Sequence, residues 1–346
     1  MKQTTNRLAG LDIIRCLAIF SVIAGHFFVL NTPFRETIFD ASGMFGQGLV
    51  YLLFNATGVP LFIMMTGYLN AHKVECNRKY YKGMKRVLIS YLLFSVITIL
   101  FRKYYLYEDL TWIQWGLKIL DFSAIPYGWY IEMWIGLYLL TPFLNLLYKA
   151  IPTQKQKLIL LVTLYVLTAL PDLLNRYGLH LVPGFWQSVF PLTYFFIGSY
   201  VREYEPELKG KKIVVAIIAI LAICAINPVF TMLFAKEHTM IQIAGGSNGV
   251  FGTIVAVLTF ILLYKIDIRN VWTKKVLTHI SLLSLDMYLC CYIFDKIFYP
   301  YFIDRYFVDQ TQFGIYFFVI VPLVFVASLL TAQIKKWIFQ LFPRKK

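Results

Sequence analysis

The chain has 346 residues, of which 59% are apolar and only 15% are charged, and its mean hydropathy is +0.65. These values exclude an ordinary soluble domain and are typical of a polytopic membrane protein. The net charge of +15 does not indicate nucleic-acid binding, because the basic residues lie in short clusters between apolar segments. We therefore expect an all-α protein of the lipid bilayer with no nucleic-acid partner.

Ten apolar segments are predicted to cross the membrane as helices. They cover residues 11–31, 47–69, 84–101, 128–148, 157–175, 184–201, 211–234, 247–265, 277–300 and 312–334. Most of the 33 Lys and Arg residues lie in alternate connecting segments, which predicts that both termini are cytoplasmic. The chain is thus predicted to be one transmembrane domain, residues 1–346, of the cell membrane, without a cleavable signal peptide.

The first predicted span contains three ionisable residues, Asp12, Arg15 and His26. Placing an ionisable side chain in a membrane-spanning helix costs roughly 2.5–3.5 kcal/mol on the membrane-insertion scale, so each of the three is a candidate functional residue. Arg15 and His26 are close to three helical turns apart, so both project from one face, separated by about 16 Å along the axis. The adjoining stripe consists of small residues that predict close packing of another helix: Ala18, Ser21 and Gly25.

The longest predicted loop, residues 102–127, faces outward and carries apolar residues at helical spacing. These residues are Leu110, Ile113, Leu117 and Leu120, with Trp112 and Trp115 beside them. One interpretation is a short helix lying in the membrane interface. The other is an aromatic platform that stacks on a sugar.

His26 is the strongest candidate for catalysis. Histidine is the usual general base near neutral pH, since its unperturbed pKa is about 6.5. The alternative is a structural imidazole that only forms hydrogen bonds between helices or at a water-filled cavity. No Cys/His ligand spacing is present, so we predict no metal site.

Membrane depth sorts the remaining candidates. Arg15, Thr66 and Arg86 fall at the predicted cytoplasmic level, where Arg86 could be either an anion-binding residue or a simple positive-inside anchor. Glu132 lies in the outer half with His26, either as an acid–base group or as the structural partner of an Arg or Tyr. Asp295, near the outer end of the ninth span with Lys296, is expected to reach the interface.

Several motifs resemble the acyltransferase-3 family of multipass membrane acyltransferases. The first is Arg15 followed eleven residues later by His26; the second is Gly58 to Tyr68, in which Thr66 replaces the usual Ser of a Ser-Gly-Tyr ending. Further similarities are Lys85-Arg86, Trp129-Tyr130 with Leu137 to Leu144, and Ser284 to Leu289. Cys291 stands where many relatives carry a histidine, so no role of that histidine is transferred.

The resemblance implies an acyltransferase without an appended extracellular domain. It would transfer an acyl group, commonly acetyl, from a cytoplasmic thioester such as acetyl-CoA to a hydroxyl of an envelope glycan or glycolipid. No permanently bound cofactor is expected. His26 and Glu132 are the predicted catalytic residues; Arg15, Arg86 and Thr66 are predicted to bind the donor; Trp129, Tyr130 and Tyr288 are predicted to bind the acceptor. The alternative is a polysaccharide exporter or flippase, in which Arg15, His26 and Glu132 line a pathway.

Overall fold

The computed structural model describes residues 8–175, 180–234, 246–306 and 309–341, and within these ranges the chain forms helices and no strand. The first seven α-helices are α1 Ala9–His26, α2 Ala41–Thr57, α3 Val59–Asn70, α4 Arg78–Tyr81, α5 Met84–Tyr104, α6 Trp112–Leu120 and α7 Trp129–Ala150. They are followed by α8 Gln154–Thr168, α9 Leu170–Leu174, α10 Phe190–Tyr204, α11 Lys211–Phe234, α12 Val250–Leu263, α13 Val271–Ile303 and α14 Phe313–Leu341. The basic residues of segments 1–7 and 342–346, on which part of the predicted orientation depends, lie outside the described residues.

In the described part of the chain, eight helical segments are long and apolar enough to cross a membrane. They are Ala9–Asn31, Ala41–Asn70, Arg78–Tyr104, Trp129–Ala150, Gln154–Leu174, Lys211–Phe234, Val271–Ile303 and Ile315–Leu341. The all-helical, multipass architecture is thereby confirmed. The predicted spans 184–201 and 247–265 correspond to α10 and α12, with only 15 and 14 residues. At 1.5 Å per residue these helices measure about 22 Å, less than the ~30 Å hydrocarbon core, so the count of ten stays a prediction.

Proline divides two of the predicted spans. The segment predicted as one helix over 47–69 is two helices joined at Gly58, with Pro60 in the first turn of α3. Likewise α9 begins next to Pro171, after α8 has ended. Proline lacks an amide N–H and clashes with the carbonyl four residues earlier, but it fits the first turn of a new helix.

The residues assemble into two compact units, which are described separately. The first unit comprises Met1–His72 and Leu147–Ser281, and the second unit comprises Lys73–Leu146 and Leu282–Lys346. Helices α7 and α13 contribute residues to both. A single domain over residues 1–346 stays a prediction.

The first unit is built on a close contact between α3 and α10. A Cβ on Gly67 would lie 1.9 Å from the carbonyl oxygen of Phe195, and one on Gly198 would lie 2.0 Å from that of Met64. Two backbones can approach this closely only where side chains are absent. Gly67 therefore serves helix packing directly.

Helix α2 packs mainly on α1, α11 and α12 of the first unit. Leu52 and Ala56 of α2 form a buried cluster with residues of α11 and α12: Ile220, Cys224 and Val255. On the α1 side, the hydroxyls of Ser21 and Thr57 lie 2.9 Å apart.

The small-residue stripe on α1 is buried, as predicted for a packed face. Its residues make different contacts. Ser21 uses its hydroxyl in the contact with Thr57. A Cβ on Gly25 would meet no atom within 4 Å, so close packing does not require a glycine there.

Helix α2 begins after Asp40, which caps it. The Asp40 carboxylate accepts hydrogen bonds from the Ser42 hydroxyl at 2.7 Å and from the Gly43 N–H at 2.8 Å. These hydrogen bonds, that of Ser42 first, hold the pKa of Asp40 below its usual value because they favour the charged carboxylate.

In the second unit the predicted loop helix is present as α6. Thr111 caps it in a capping box with Gln114. Arg102 anchors the surrounding loop through a two-point contact with the Glu108 carboxylate at 2.7 and 2.8 Å, and its guanidinium lies over the buried Trp115 ring. The outward face of α6 is apolar and exposed, comprising Trp112, Ile113, Leu117 and Leu120. An exposed apolar face is what an interfacial helix requires, whereas Trp115, one of the two tryptophans of the alternative sugar platform, is buried.

Candidate functional site

Helix α1 of the first unit carries the three ionisable residues of the first span. Asp12 is buried, and its carboxylate accepts a hydrogen bond from the Thr278 hydroxyl of α13 at 2.8 Å. One turn later, the Cys16 thiol donates to the Leu277 carbonyl at 3.3 Å. These contacts fix the start of α1 against the start of α13. Arg15 and His26 are each half-buried.

His26 is the last α-helical residue before a π-helical segment, Phe27–Asn31. The side-chain amide of Asn31 donates to the His26 carbonyl at 3.0 Å, and the Thr32 hydroxyl donates to the Phe27 carbonyl at 2.8 Å. Side chains thereby satisfy carbonyls that the wider turn would otherwise leave open. Single π-helical turns are frequent at functional sites because they redirect a side chain within a helix.

The π-helical segment is held in place by aromatic packing. Phe27 and Phe28 are fully buried. The Phe28 ring makes edge contacts with Phe34 at 4.9 Å and with Tyr51 of α2 at 5.6 Å between ring centroids. The imidazole of His26 therefore projects from a rigid turn, which suits a group that must meet a substrate in a fixed geometry.

Thr66 lies on α3, between the residues that contact α10. Its hydroxyl donates to the Phe62 carbonyl at 3.0 Å, and its own carbonyl accepts from the Asn70 side chain at 2.7 Å. The hydroxyl proton is thus used within the helix, whereas the oxygen can still accept a hydrogen bond. Donor binding by Thr66 stays a prediction.

In the second unit, Arg86 lines a cavity of about 650 Å³. Its walls come from α5, α13 and α14, and include Ser90, Leu282 and Lys336. Arg86 is exposed on the third residue of α5. Its guanidinium is available to a ligand in the cavity, as the predicted anion-binding role requires.

The same cavity contains an ion pair that sequence reasoning missed. The Lys335 ammonium lies 2.5 Å from the Asp286 carboxylate and 2.5 Å from the Ser90 hydroxyl, so it joins α14, α13 and α5. Lys335 was placed in the segment after the tenth predicted span. A signal was present, since the buried residues of α14 recur at helical spacing through Val324, Ser328 and Ala332, and Lys335 continues that row.

Three aromatic residues predicted to bind the acceptor form one row in the second unit. The rings of Trp129 and Tyr130 are 6.2 Å apart, and those of Tyr130 and Tyr288 are 5.6 Å apart, both edge to face. Trp129 is exposed, Tyr130 is half-buried and Tyr288 is buried. The Tyr288 hydroxyl donates to the Tyr127 carbonyl, and this hydrogen bond fixes the buried end of the row. A substrate-binding role for the three stays a prediction.

Glu132 lies in the first turn of α7 and is exposed. It continues a row of exposed residues on that helix, Gly136, Leu140 and Phe143. A carboxylate at this end of the helix is favoured by the helix dipole. The apolar row places Glu132 on the outward face of α7, and its acid–base role stays a prediction.

Asp295 does not reach the interface, so that prediction was wrong. The residue is fully buried in the second unit, and the Tyr127 hydroxyl donates to its carboxylate at 2.8 Å. The physical reason is that α13 continues to Ile303 and packs this face against Tyr127. Nearby, the Cys291 thiol donates to the Tyr288 carbonyl at 3.2 Å within its own helix.

The predicted site residues are divided between the units. Arg15, Thr66 and His26 belong to the first, and Arg86, Trp129, Tyr130, Glu132 and Tyr288 belong to the second. The long apolar helices of the described residues define a multipass membrane protein.

The comparison with protein families specifies this class. A family model described as an acyltransferase domain matches residues 8–332, nearly the whole chain. The chain therefore belongs to the acyltransferase-3 family, as the motifs predicted. The comparisons with curated proteins and with solved structures gave no match.

Proposed function

We propose that this membrane acyltransferase transfers an acetyl or similar acyl group from acyl-CoA to a hydroxyl of a cell-surface glycan or glycolipid. The observation that carries the proposal is His26, a half-buried imidazole directly before a π-helical turn, on an apolar helix that also contains Arg15. Membership in the acyltransferase family supports the reaction class.

The donor is assigned to the cationic residues. CoA carries several negative charges, and Arg binds phosphate at two points through its planar guanidinium. Arg15 and Arg86 are the residues we assign to these phosphates, with Thr66 as a further polar contact. This assignment requires both arginines to lie on the cytoplasmic side, in agreement with the Lys/Arg distribution.

His26 is assigned the role of general base. Its imidazole removes the proton of the acceptor hydroxyl while the hydroxyl oxygen attacks the thioester carbonyl. The carbon–sulfur bond then breaks, and the imidazolium returns the proton to the leaving thiolate, so that the products are an ester and free CoA. Trp129 and Tyr130 would hold the sugar by stacking.

The orientation is tested with reporter fusions. Fusions after Arg86 and after Pro343 should both report a cytoplasmic position, and a fusion near Asp109 should report the exterior. An exterior signal at Pro343 would mean an odd number of spans and would contradict the assignment of both arginines to the donor side.

The function is tested by comparing a deletion strain with its parent. Loss of an acyltransferase should leave the amount of surface glycan unchanged while removing its alkali-labile acyl groups. A polysaccharide exporter would instead lower the amount of surface glycan and leave unexported glycan inside the cell. Measuring both quantities in one experiment distinguishes the two functions.

A further inference from the structure

The cavity of the second unit has a defined charge. Lys335 and Asp286 lie in contact and compensate each other, and each side chain is only 12% exposed. The remaining charged lining residues are Arg86 and Lys336. Among the described residues, neither of these two has an ion-pair partner. The cavity therefore offers two uncompensated positive charges to a ligand.

The rest of the lining is partly apolar. Leu282 and Phe339 are exposed at the cavity. A volume of about 650 Å³ lies within the range of ~300–1,000 Å³ that is usual for small-molecule sites. An anion that also carries an apolar or aromatic part fits this combination better than a small inorganic ion does.

We infer that this cavity binds the phosphate-bearing end of the acyl-CoA donor and that Lys336 is a second phosphate-binding residue beside Arg86. This inference rests on the proposed function. The phosphates would lie between the Arg86 guanidinium and the Lys336 ammonium, and the adenine would lie against Leu282 and Phe339.

Lys335 has a different role from its neighbour. Its ammonium is held by Asp286 and Ser90 at 2.5 Å each, so it is committed within the protein. This contact fixes the end of α14 against α5 and α13 and thereby orients Lys336 toward the cavity. Lys335 is a positioning residue, whereas Lys336 contacts the ligand.

The experiment measures CoA binding to the purified full chain in phosphatidylcholine nanodiscs by isothermal titration calorimetry. Lys336→Gln removes the charge and keeps the length of the side chain. Lys149→Gln, at the exposed end of α7 and outside the cavity, is the matched control for loss of one positive charge. Lys336→Arg keeps a cation, and thermal unfolding of each variant confirms that it is folded.

Lys336→Gln should raise the Kd for CoA by about tenfold, the scale of one charge-assisted hydrogen bond. Lys336→Arg and Lys149→Gln should stay within about twofold of the parent, since an arginine can replace the contact and Lys149 makes none. The parent's Kd should also rise more steeply with salt than that of Lys336→Gln.

Two outcomes would overturn the inference. If folded Lys336→Gln binds CoA and transfers the acyl group as the parent does, the cavity is not the donor site, although the proposed function stands. If Lys336→Gln instead loses bound phosphatidylglycerol, measured in nanodiscs that contain this lipid, with CoA affinity unchanged, the cavity is a lipid site. Failure of the parent to bind CoA or to use it would refute the proposed function itself.

Discussion

Replacement of Gly67 by alanine tests the packing of the first unit most sharply. The new Cβ would lie 1.9 Å from the carbonyl oxygen of Phe195, whereas ordinary contact begins at 3.4 Å. The position of the Cβ is fixed by the backbone of α3, and the carbonyl belongs to the backbone of α10. No side-chain rotation therefore relieves the overlap, and α3 and α10 must separate by about 1.5 Å. Overpacking typically costs about 1–3 kcal/mol, and a backbone clash falls at the upper end. We expect Gly67→Ala to destabilise the protein by about 3 kcal/mol or more.

The matched control is Gly136→Ala on α7, where the added Cβ meets no atom within 4 Å. Alanine favours a helix over glycine by about 1 kcal/mol, so this variant should be as stable as the parent or slightly more stable. The assay is thermal unfolding of the two purified variants in the same detergent. Equal stability of Gly67→Ala and Gly136→Ala would refute the close approach of α3 and α10.

Three further predictions concern other charged residues. Lys335→Met leaves the buried Asp286 carboxylate unpaired and should destabilise the protein by about 3 kcal/mol. The double variant Lys335→Met/Asp286→Leu should recover most of that loss, and thermal unfolding of both variants tests the prediction. Arg15→Lys keeps the charge but loses the planar fork, so the Kd for CoA should rise about tenfold, and an unchanged Kd would remove Arg15 from the donor site. The depressed pKa of Asp40 means that its cap stabilises the protein above the ordinary carboxyl pKa and that this contribution is lost as the pH falls through the depressed value. Asp40→Asn should therefore unfold with a weaker acid dependence than the parent; an identical pH dependence would show that Asp40 contributes nothing.

Periodicity and charge were sufficient to predict most of the helices, because membrane helices carry strong local signals, and the motifs were sufficient to predict the family. The segment 211–234 was predicted with the limits that α11 has. The break at Gly58 was missed because the run from 47 to 69 is apolar on both sides of the break, and hydropathy does not register Pro60. Helices α10 and α12 are shorter than predicted because their apolar segments continue into turns that hydropathy does not distinguish from helix.

The site was predicted less completely than the fold. His26, Arg15 and Arg86 stand out in the sequence because each is an ionisable residue within or next to an apolar run. Asp295 was assigned to the interface and Lys335 to the segment after the tenth predicted span, because their burial depends on contacts with Tyr127 and Asp286, which are far away in the chain. The long-range contact of Asp295 leaves no local pattern in the sequence, whereas Lys335 continues the row of Val324, Ser328 and Ala332 on α14.

The most direct test of the proposed function is the transfer reaction itself, measured with the purified chain in nanodiscs. The assay follows radiolabelled acetyl groups from acetyl-CoA into a glycan acceptor extracted from the deletion strain, for the parent and for His26→Gln. General-base catalysis contributes about 10²–10⁴-fold, whereas a polar contact between membrane helices contributes about 0.6 kcal/mol, less than threefold. We predict transfer by the parent and a loss of at least about a hundredfold in folded His26→Gln. A folded His26→Gln protein that keeps a third or more of the parental rate would contradict the account.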